Sequence, residues 1–322
     1  MHPGIRILVF MLLLLVASSG RAEWFQEGQN KMGTRVFVKL WHEDANKASE
    51  LLAVSMAEID RIETSMSTYH TQSEISRVNA EAAESWVLVG HELFDLIRRS
   101  LSLSEQTGGA FDITYDSIGQ FYDFNKRARP SPEQVAVGLV AVDYRHVQLD
   151  SDKSAAHFSH SGVRINLGGI AKGYAIEGVI GLLRDAGVRH ALANAGGDTR
   201  VLGDRIGLPW VVGIRDPDDE MSIVTRLEIE DVAISTSGDY EQFFMEEGVR
   251  YHHIINPSTG SSAGALRSVT IIGPDATLTD GLSTSVFVMG LDAGMRLIES
   301  IPKYSAIIID ENKNAHFSSG VN

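Results

Sequence analysis

Three runs of this sequence carry the residue types that phosphate and metal chemistry needs. The densest is Asn166-Leu167-Gly168-Gly169-Ile170-Ala171-Lys172-Gly173-Tyr174, between an apolar strand-like segment and a helical pattern. Glycines at such a turn let backbone approach a ligand, and a helix N-terminus offers free N–H groups to an anion. Lys172 adds a point charge. The run is neither a Walker A loop nor a G-x-G-x-x-G fingerprint. A tight turn carrying a surface lysine explains it equally well. Next, Asp280 and Thr284 stand one helical turn apart in Asp280-Gly281-Leu282-Ser283-Thr284, so carboxylate and hydroxyl share a face. That is a hard-oxygen pair suited to Mg²⁺. The bland alternative is an Asp favouring the helix dipole and a Thr bonded back one turn. Third, Tyr251-His252-His253-Ile254 puts adjacent histidines on an extended segment, where they point to opposite sides. One of them could act as general acid or base. No His/Asp/Glu grouping has zinc spacing.

Two smaller runs complete the set. Thr107-Gly108-Gly109-Ala110-Phe111-Asp112-Ile113-Thr114 reads as a helix stop and turn, or as backbone cradling a planar ring. Met66-Ser67-Thr68-Tyr69, then Ser73-Glu74-Ile75-Ser76, reads as a helix end followed by a new cap. No G-x-S-x-G elbow appears, which leaves a serine-hydrolase reading unsupported.

The elements that must position these residues follow from periodicity. Arg35 to Trp41 is β-branched and aromatic and predicts an early strand. Leu52, Met56, Ile59, Ile62 and Met66 recur at helical spacing in a helix starting near Ala45. Helices are also predicted over His91 to Glu105, Lys172 to Ala186 and Thr277 to Val288. Strands are predicted at Ala191–Ala193, Val269–Ile272 and Ala306–Ile309. Interleaving without a regular βαβ rhythm predicts an α+β or mixed α/β class, with α+β preferred, as a single compact unit with mixed sheets and packed helices.

Composition narrows the function. The 322 residues are 43% hydrophobic and 22% charged, a globular balance, with no cysteine for disulfides or thiolate ligands. A net charge of −14 argues against a nucleic-acid partner. An anionic substrate then needs local help from a metal, a lysine or backbone N–H groups. Arg6, the apolar run Ile7 to Ala17 and the small residues up to Ala22 read as a secretory signal over residues 1–22. That leaves one domain over 23–322, soluble and periplasmic after cleavage. The alternative is an uncleaved inner-membrane anchor.

Taken together and in order, the motifs resemble the ApbE-type FAD:protein FMN transferase family. The resemblance runs through Met32-Gly33-Thr34, Met66 to Tyr69, Ser73 to Ser76, Gly109 to Asp112 and Leu167 to Ala175. It continues through Asn194-Ala195-Gly196-Gly197-Asp198, Thr236-Ser237-Gly238-Asp239-Tyr240, His252 to Gly260 and Asp280 to Thr284. It implies a single α+β unit around a deep flavin site lined by Met32, Tyr69, Ala110, Phe111, Asp112, Asn166, Lys172 and Ile254. It implies Mg²⁺ held by a backbone oxygen at Gly169, the Asp280 carboxylate and the Thr284 hydroxyl, with Ser283 able to contribute. The implied reaction is attack by an acceptor threonine hydroxyl on the FMN phosphorus of FAD, with AMP leaving. His253 is the candidate to take the proton, and His252 the fallback. The implied partners are membrane-bound redox subunits with a Ser/Thr-Gly-Ala-Thr-like segment.

Three positions depart from the commoner pattern. Asn166 and Asn256 stand where relatives usually have Asp, and Ser283 where some have a second acidic residue. Each change removes negative charge near an anionic ligand, and a two-carboxylate metal site is not implied. Two rival functions share the motifs: an FAD pyrophosphatase yielding FMN and AMP, and a non-catalytic periplasmic flavin-binding protein.

Overall fold

The nine residues of strand β1 (Glu23–Lys31) pair in unbroken register with β2 (Thr34–His42), from Glu23 opposite His42 to Lys31 opposite Thr34. The two-residue turn between them, Met32-Gly33, has both φ angles positive, the hairpin geometry that matches strand twist. This is a computed structural model that describes residues 22–321. The predicted signal at 1–22 therefore lies almost wholly outside the described residues.

Helix α1 (Ala45–Met66), capped by the Asp44 side chain, and α2 (Glu74–Glu81), capped by Ser73, follow as predicted. The short β3 (Val87–Leu88) leads to α3 (His91–Gln106), α4 (Asp116–Gly119) and α5 (Pro132–Leu139). Strands β4 (Val147–Asp150) and β5 (Ala155–Phe158) join β3 in a small sheet. Then come α6 (Ala171–Asp185), β6 (Ala191–Ala195) and β7 (Asp198–Leu202). Two hairpins surround one central strand: β8 (Trp210–Asp216) with β9 (Asp219–Ile229), β10 (Ala233–Gly238), and β11 (Phe243–Glu246) with β12 (Val249–His252). The chain finishes with β13 (Leu266–Gly273), α7 (Ala276–Met289), α8 (Leu291–Ser300), β14 (Ser305–Asp310) and β15 (Ala315–Phe317).

The main sheet runs β1-β2-β6-β7-β10-β13-β14-β15, and its pairings are all antiparallel. This is the α+β organisation expected from the sequence. Val36, Val38 and Leu40 alternate onto one face of β2 and pack with α1 residues Leu52, Met56 and Ile59 and α6 residues Ile176, Val179 and Leu183. A second cluster joins α3, the small sheet and α7 through Leu93, Phe94, Phe158, Leu282 and Phe287. Among the described residues no helix is long and apolar enough to cross a membrane.

The crossing of α6 and α7 sets the site. A Cβ at Gly173 would meet the Ala276 carbonyl oxygen at 2.1 Å and the Asp280 Cβ at 2.7 Å, so only glycine permits this approach. Asp275 caps α7 by accepting from the Thr277 and Leu278 N–H groups. Glu177, on α6, accepts from the Ala276 N–H and pins the two helices together.

Candidate active site

The first turn of α6, the second turn of α7 and the first residue of β7 converge on Lys172. Its ammonium lies 3.0 Å from Asp198 Oδ2 and 3.2 Å from Asp280 Oδ1. Both carboxylates are almost fully buried, at 1% and 2% exposure. Burial works against the charge of Lys172, but the two carboxylates outweigh it and hold its pKa above the ordinary value. The Asp198 carboxyl is pushed up, first by burial and then by Asp280, with Lys172 pulling the other way. Asp280 Oδ2 also accepts from the Gly173 N–H at 2.9 Å, one of the first-turn donors with no partner inside the helix.

Hydroxyls line the β10 side of the same place. Ser237 Oγ is 2.8 Å from Ser283 Oγ and 3.3 Å from Thr284 Oγ1. A Cβ at Gly169 would stand 3.4 Å from Thr284 Oγ1 and 3.3 Å from the Phe111 ring. Among the described residues, no backbone hydrogen bond reaches the Gly169 carbonyl oxygen. Asp280, Ser283, Thr284 and Gly169 therefore offer a carboxylate, two hydroxyls and a free carbonyl. This all-oxygen set fits a hard divalent cation. Among the described residues no group of three or more His, Asp or Glu side chains could hold a metal, so any site here depends on hydroxyl and backbone oxygens.

The two histidines differ in what their ring nitrogens do. His252 Nε2 sits 2.7 Å from the Ala263 carbonyl, Nδ1 accepts from the Ile254 N–H, and the ring edge packs on Phe287. His252 is thus committed to the fold. His253 Nδ1 is enclosed and has no hydrogen-bond partner. Burial, then His252 and Lys172, lower the His253 pKa to about 4, which leaves the ring neutral at pH 7.

The residues expected to line a flavin lie on several elements. Asn166 Oδ1 accepts from the Gly168 N–H, and its amide donates to Thr68 Oγ1 and Asp116 Oδ1. Asp116 pairs with Arg164 at 2.6 Å. Asp112 has both carboxylate oxygens occupied: Oδ1 accepts from the Thr114 N–H and hydroxyl, and Oδ2 from the Tyr144 N–H. Its carboxylate holds the turn together rather than facing outward, and burial raises its pKa. Phe111 and Ile254 are buried, Ala110 and Met32 half-buried, and Tyr69 stands 91% exposed. Asp198 and Ser237 are site residues that motif reading quoted without a role. The Gly-Gly-Asp and Thr-Ser-Gly contexts look like turns, and only the order β6-β7-β10 brings Asp198 to Lys172 and Ser237 to the α7 hydroxyls.

Comparison with known proteins identifies the family. Residues 32–308 match the ApbE family. The FAD:protein FMN transferase of Treponema pallidum is 31% identical over 338 residues, covering 98% of this chain and 93% of its own. The ApbE protein of Thermotoga maritima superposes with a TM-score of 0.85 at 31% identity, over 92% of this chain and 97% of that one. The flavin transferase ApbE of Vibrio cholerae gives 0.83 at 27% identity, over 93% and 98%. With most of its length matched, this chain belongs to the ApbE family.

Proposed function

We propose that this chain is a Mg²⁺-dependent FAD:protein FMN transferase that moves FMN from FAD onto a threonine hydroxyl of a target protein and releases AMP. The observation that carries the reading is the convergence of Lys172, Asp280 and the Ser237, Ser283 and Thr284 hydroxyls at one crossing. Relatives over nearly the whole chain bear the name of this activity.

FAD is an anhydride of FMN and AMP. The threonine Oγ forms a bond to the FMN phosphorus, the bond from that phosphorus to the bridging oxygen breaks, and AMP carries the bridging oxygen away. The hydroxyl proton goes to His253 Nδ1, which is neutral and has no competing partner. Lys172 sets a fixed positive charge against the diphosphate, oriented by Asp198 and Asp280. Asp280, Thr284, Ser283 and the Gly169 carbonyl would hold Mg²⁺, which when bound supplies neutralisation of diphosphate charge. A bound diphosphate also raises the His253 pKa toward neutrality, where a general base works best.

Export through the run Ile7 to Ala17 is part of the proposal, with the periplasm as location. Membrane-bound redox subunits with a Ser/Thr-Gly-Ala-Thr-like segment are the partners. The test is incubation with FAD and Mg²⁺, with and without an acceptor domain carrying that segment, followed by mass spectrometry and AMP chromatography. An acceptor gaining an FMN mass, dependent on its threonine and on Mg²⁺, supports the transferase. AMP and free FMN from every acceptor tried would replace it with a pyrophosphatase, and unchanged FAD with a carrier.

A further inference from the structure

The run that carries Gly169 is laced to its surroundings one residue at a time. The Arg164 N–H donates to Ser117 Oγ at 3.0 Å. Asn79 brackets Ile165: its amide donates to the Ile165 carbonyl and its Oδ1 accepts from the Ile165 N–H. The Asn166 N–H donates to the Ile113 carbonyl at 2.9 Å. The turn Gly168-Gly169, which presents the free carbonyl, is gripped by one side chain. Its bond runs from the Gly168 N–H to Asn166 Oδ1, at 2.8 Å.

That bond uses only half of the Asn166 amide. Its Nδ2 lies 3.2 Å from Thr68 Oγ1 and 3.3 Å from Asp116 Oδ1. Asp116 is 5% exposed, and its other oxygen accepts from Arg164 Nε at 2.6 Å. A carboxylate can only accept a hydrogen bond, and a backbone N–H can only donate one. The group at position 166 must therefore offer a donor to Asp116 and an acceptor to Gly168, and an amide does both. The same two partners fix which way round the amide lies, so the Asp116 charge keeps Asn166 Oδ1 on the Gly168 N–H. Asp at position 166 would keep the Gly168 bond but set two buried carboxylates against each other, where donor and acceptor now stand 3.3 Å apart. In this chain the carboxylate usual at 166 has in effect moved to the neighbouring side chain.

We propose that Asp116 is a positioning residue: through Asn166 it sets the Gly168-Gly169 turn, and with it the carbonyl that a cation at Gly169, Asp280 and Thr284 requires. The inference rests on the cation reading of that site and not on the acceptor. Positions 116 and 166 should then tolerate exchange but not single change. In the exchanged pair, Asp116→Asn with Asn166→Asp, the amide at 116 donates to the carboxylate at 166 and turns its oxygen to Arg164. Every contact is remade.

The probe is Mn²⁺, titrated into the full chain with ADP present and followed by electron paramagnetic resonance, which needs no turnover. Asp116→Asn and Asn166→Asp should each weaken Mn²⁺ binding about tenfold, and the exchanged pair should return to within about threefold of the wild type. Urea unfolding of the same samples separates positioning from plain stability. Single variants that lose stability while the folded protein binds Mn²⁺ as before would make the pair structural and overturn the proposal. An exchanged pair no better than the worse single variant would overturn it too. Should Asn166→Asp not fold, Asn166→Ala takes its place, since it adds no charge. It should weaken the ion equally and gain nothing from Asp116→Asn, and unimpaired binding would count against the proposal. A wild type that binds no Mn²⁺ would remove the cation reading itself, and the proposal with it.

Discussion

The two halves of the site use their polar atoms in opposite ways. At the α6–α7 crossing, buried groups are left with unused capacity: His253 Nδ1 has no hydrogen-bond partner, and the Ser237, Ser283 and Thr284 hydroxyls crowd together. Around Asp112, Asp116 and Asn166 the acceptors are taken by neighbouring N–H groups, hydroxyls and Arg164. Burying a polar group without a partner is costly, so a fold keeps such groups where a ligand completes them. The crossing therefore reads as the place of chemistry, and the Asp112–Asn166 side as a scaffold that shapes it.

The sharpest way to break this contrast is to remove groups from each half and compare turnover with stability. Asp280→Ala should lower Mg²⁺-dependent AMP release on the order of 10³-fold, the scale of losing a group that stabilises transition-state charge. The variant should stay folded, since Lys172 keeps Asp198. Full activity in steady-state assays would refute the assignment. His253→Gln should cost on the order of 10²-fold in transfer, with FAD affinity retained. If His252→Gln cost turnover per folded molecule as much and His253→Gln cost nothing, the roles of the two rings would be exchanged. Asp112→Ala should do the reverse of both. It frees two backbone N–H groups and a hydroxyl, so unfolding free energy should drop by ~1–3 kcal/mol in urea titrations. Turnover per folded molecule should change little.

How much of this was legible before folding differs between the same halves. Strand β2 and helices α1, α3, α6 and α7 were plain because each buries a periodic apolar face, as Val36, Val38 and Leu40 do. Asp280 and Thr284 were readable as a pair because one helical turn fixes their relation. Strand β1 was not readable, since Glu23–Lys31 is polar and is held by pairing all nine residues with β2. The β8–β9 ribbon escaped notice for a similar reason: most of its surface faces solvent. Asp198 lies 26 residues from Lys172 and 82 from Asp280 in sequence. Only a sheet order that places β7 between β6 and β10 makes the three neighbours. Nor does alternation along a strand say which of two adjacent histidines faces inward until the register is known.

The smallest predicted effect concerns Asp198, and it tests how the Lys172 charge is shared. In the folded, metal-free protein burial raises the Asp198 pKa and Asp280 adds to the rise, while Lys172 and Ser235 oppose it. The folded state then holds this proton more tightly than the unfolded chain does. Its stabilising contribution is complete below the ordinary carboxyl value of 3.8 and is lost as pH climbs through the raised value. Asn at this position cannot ionise, so Asp198→Asn should gain on the wild type as pH rises from about 4 to about 8, by on the order of 1 kcal/mol. Urea unfolding over that range in the presence of a chelator would read the difference directly. Parallel curves would mean that Lys172 compensates Asp198 fully and leaves Asp280 the less neutralised partner. The lysine would then be Asp198's counter-ion first, and Asp280 would stand freer to bind a cation than the distances of 3.0 and 3.2 Å suggest.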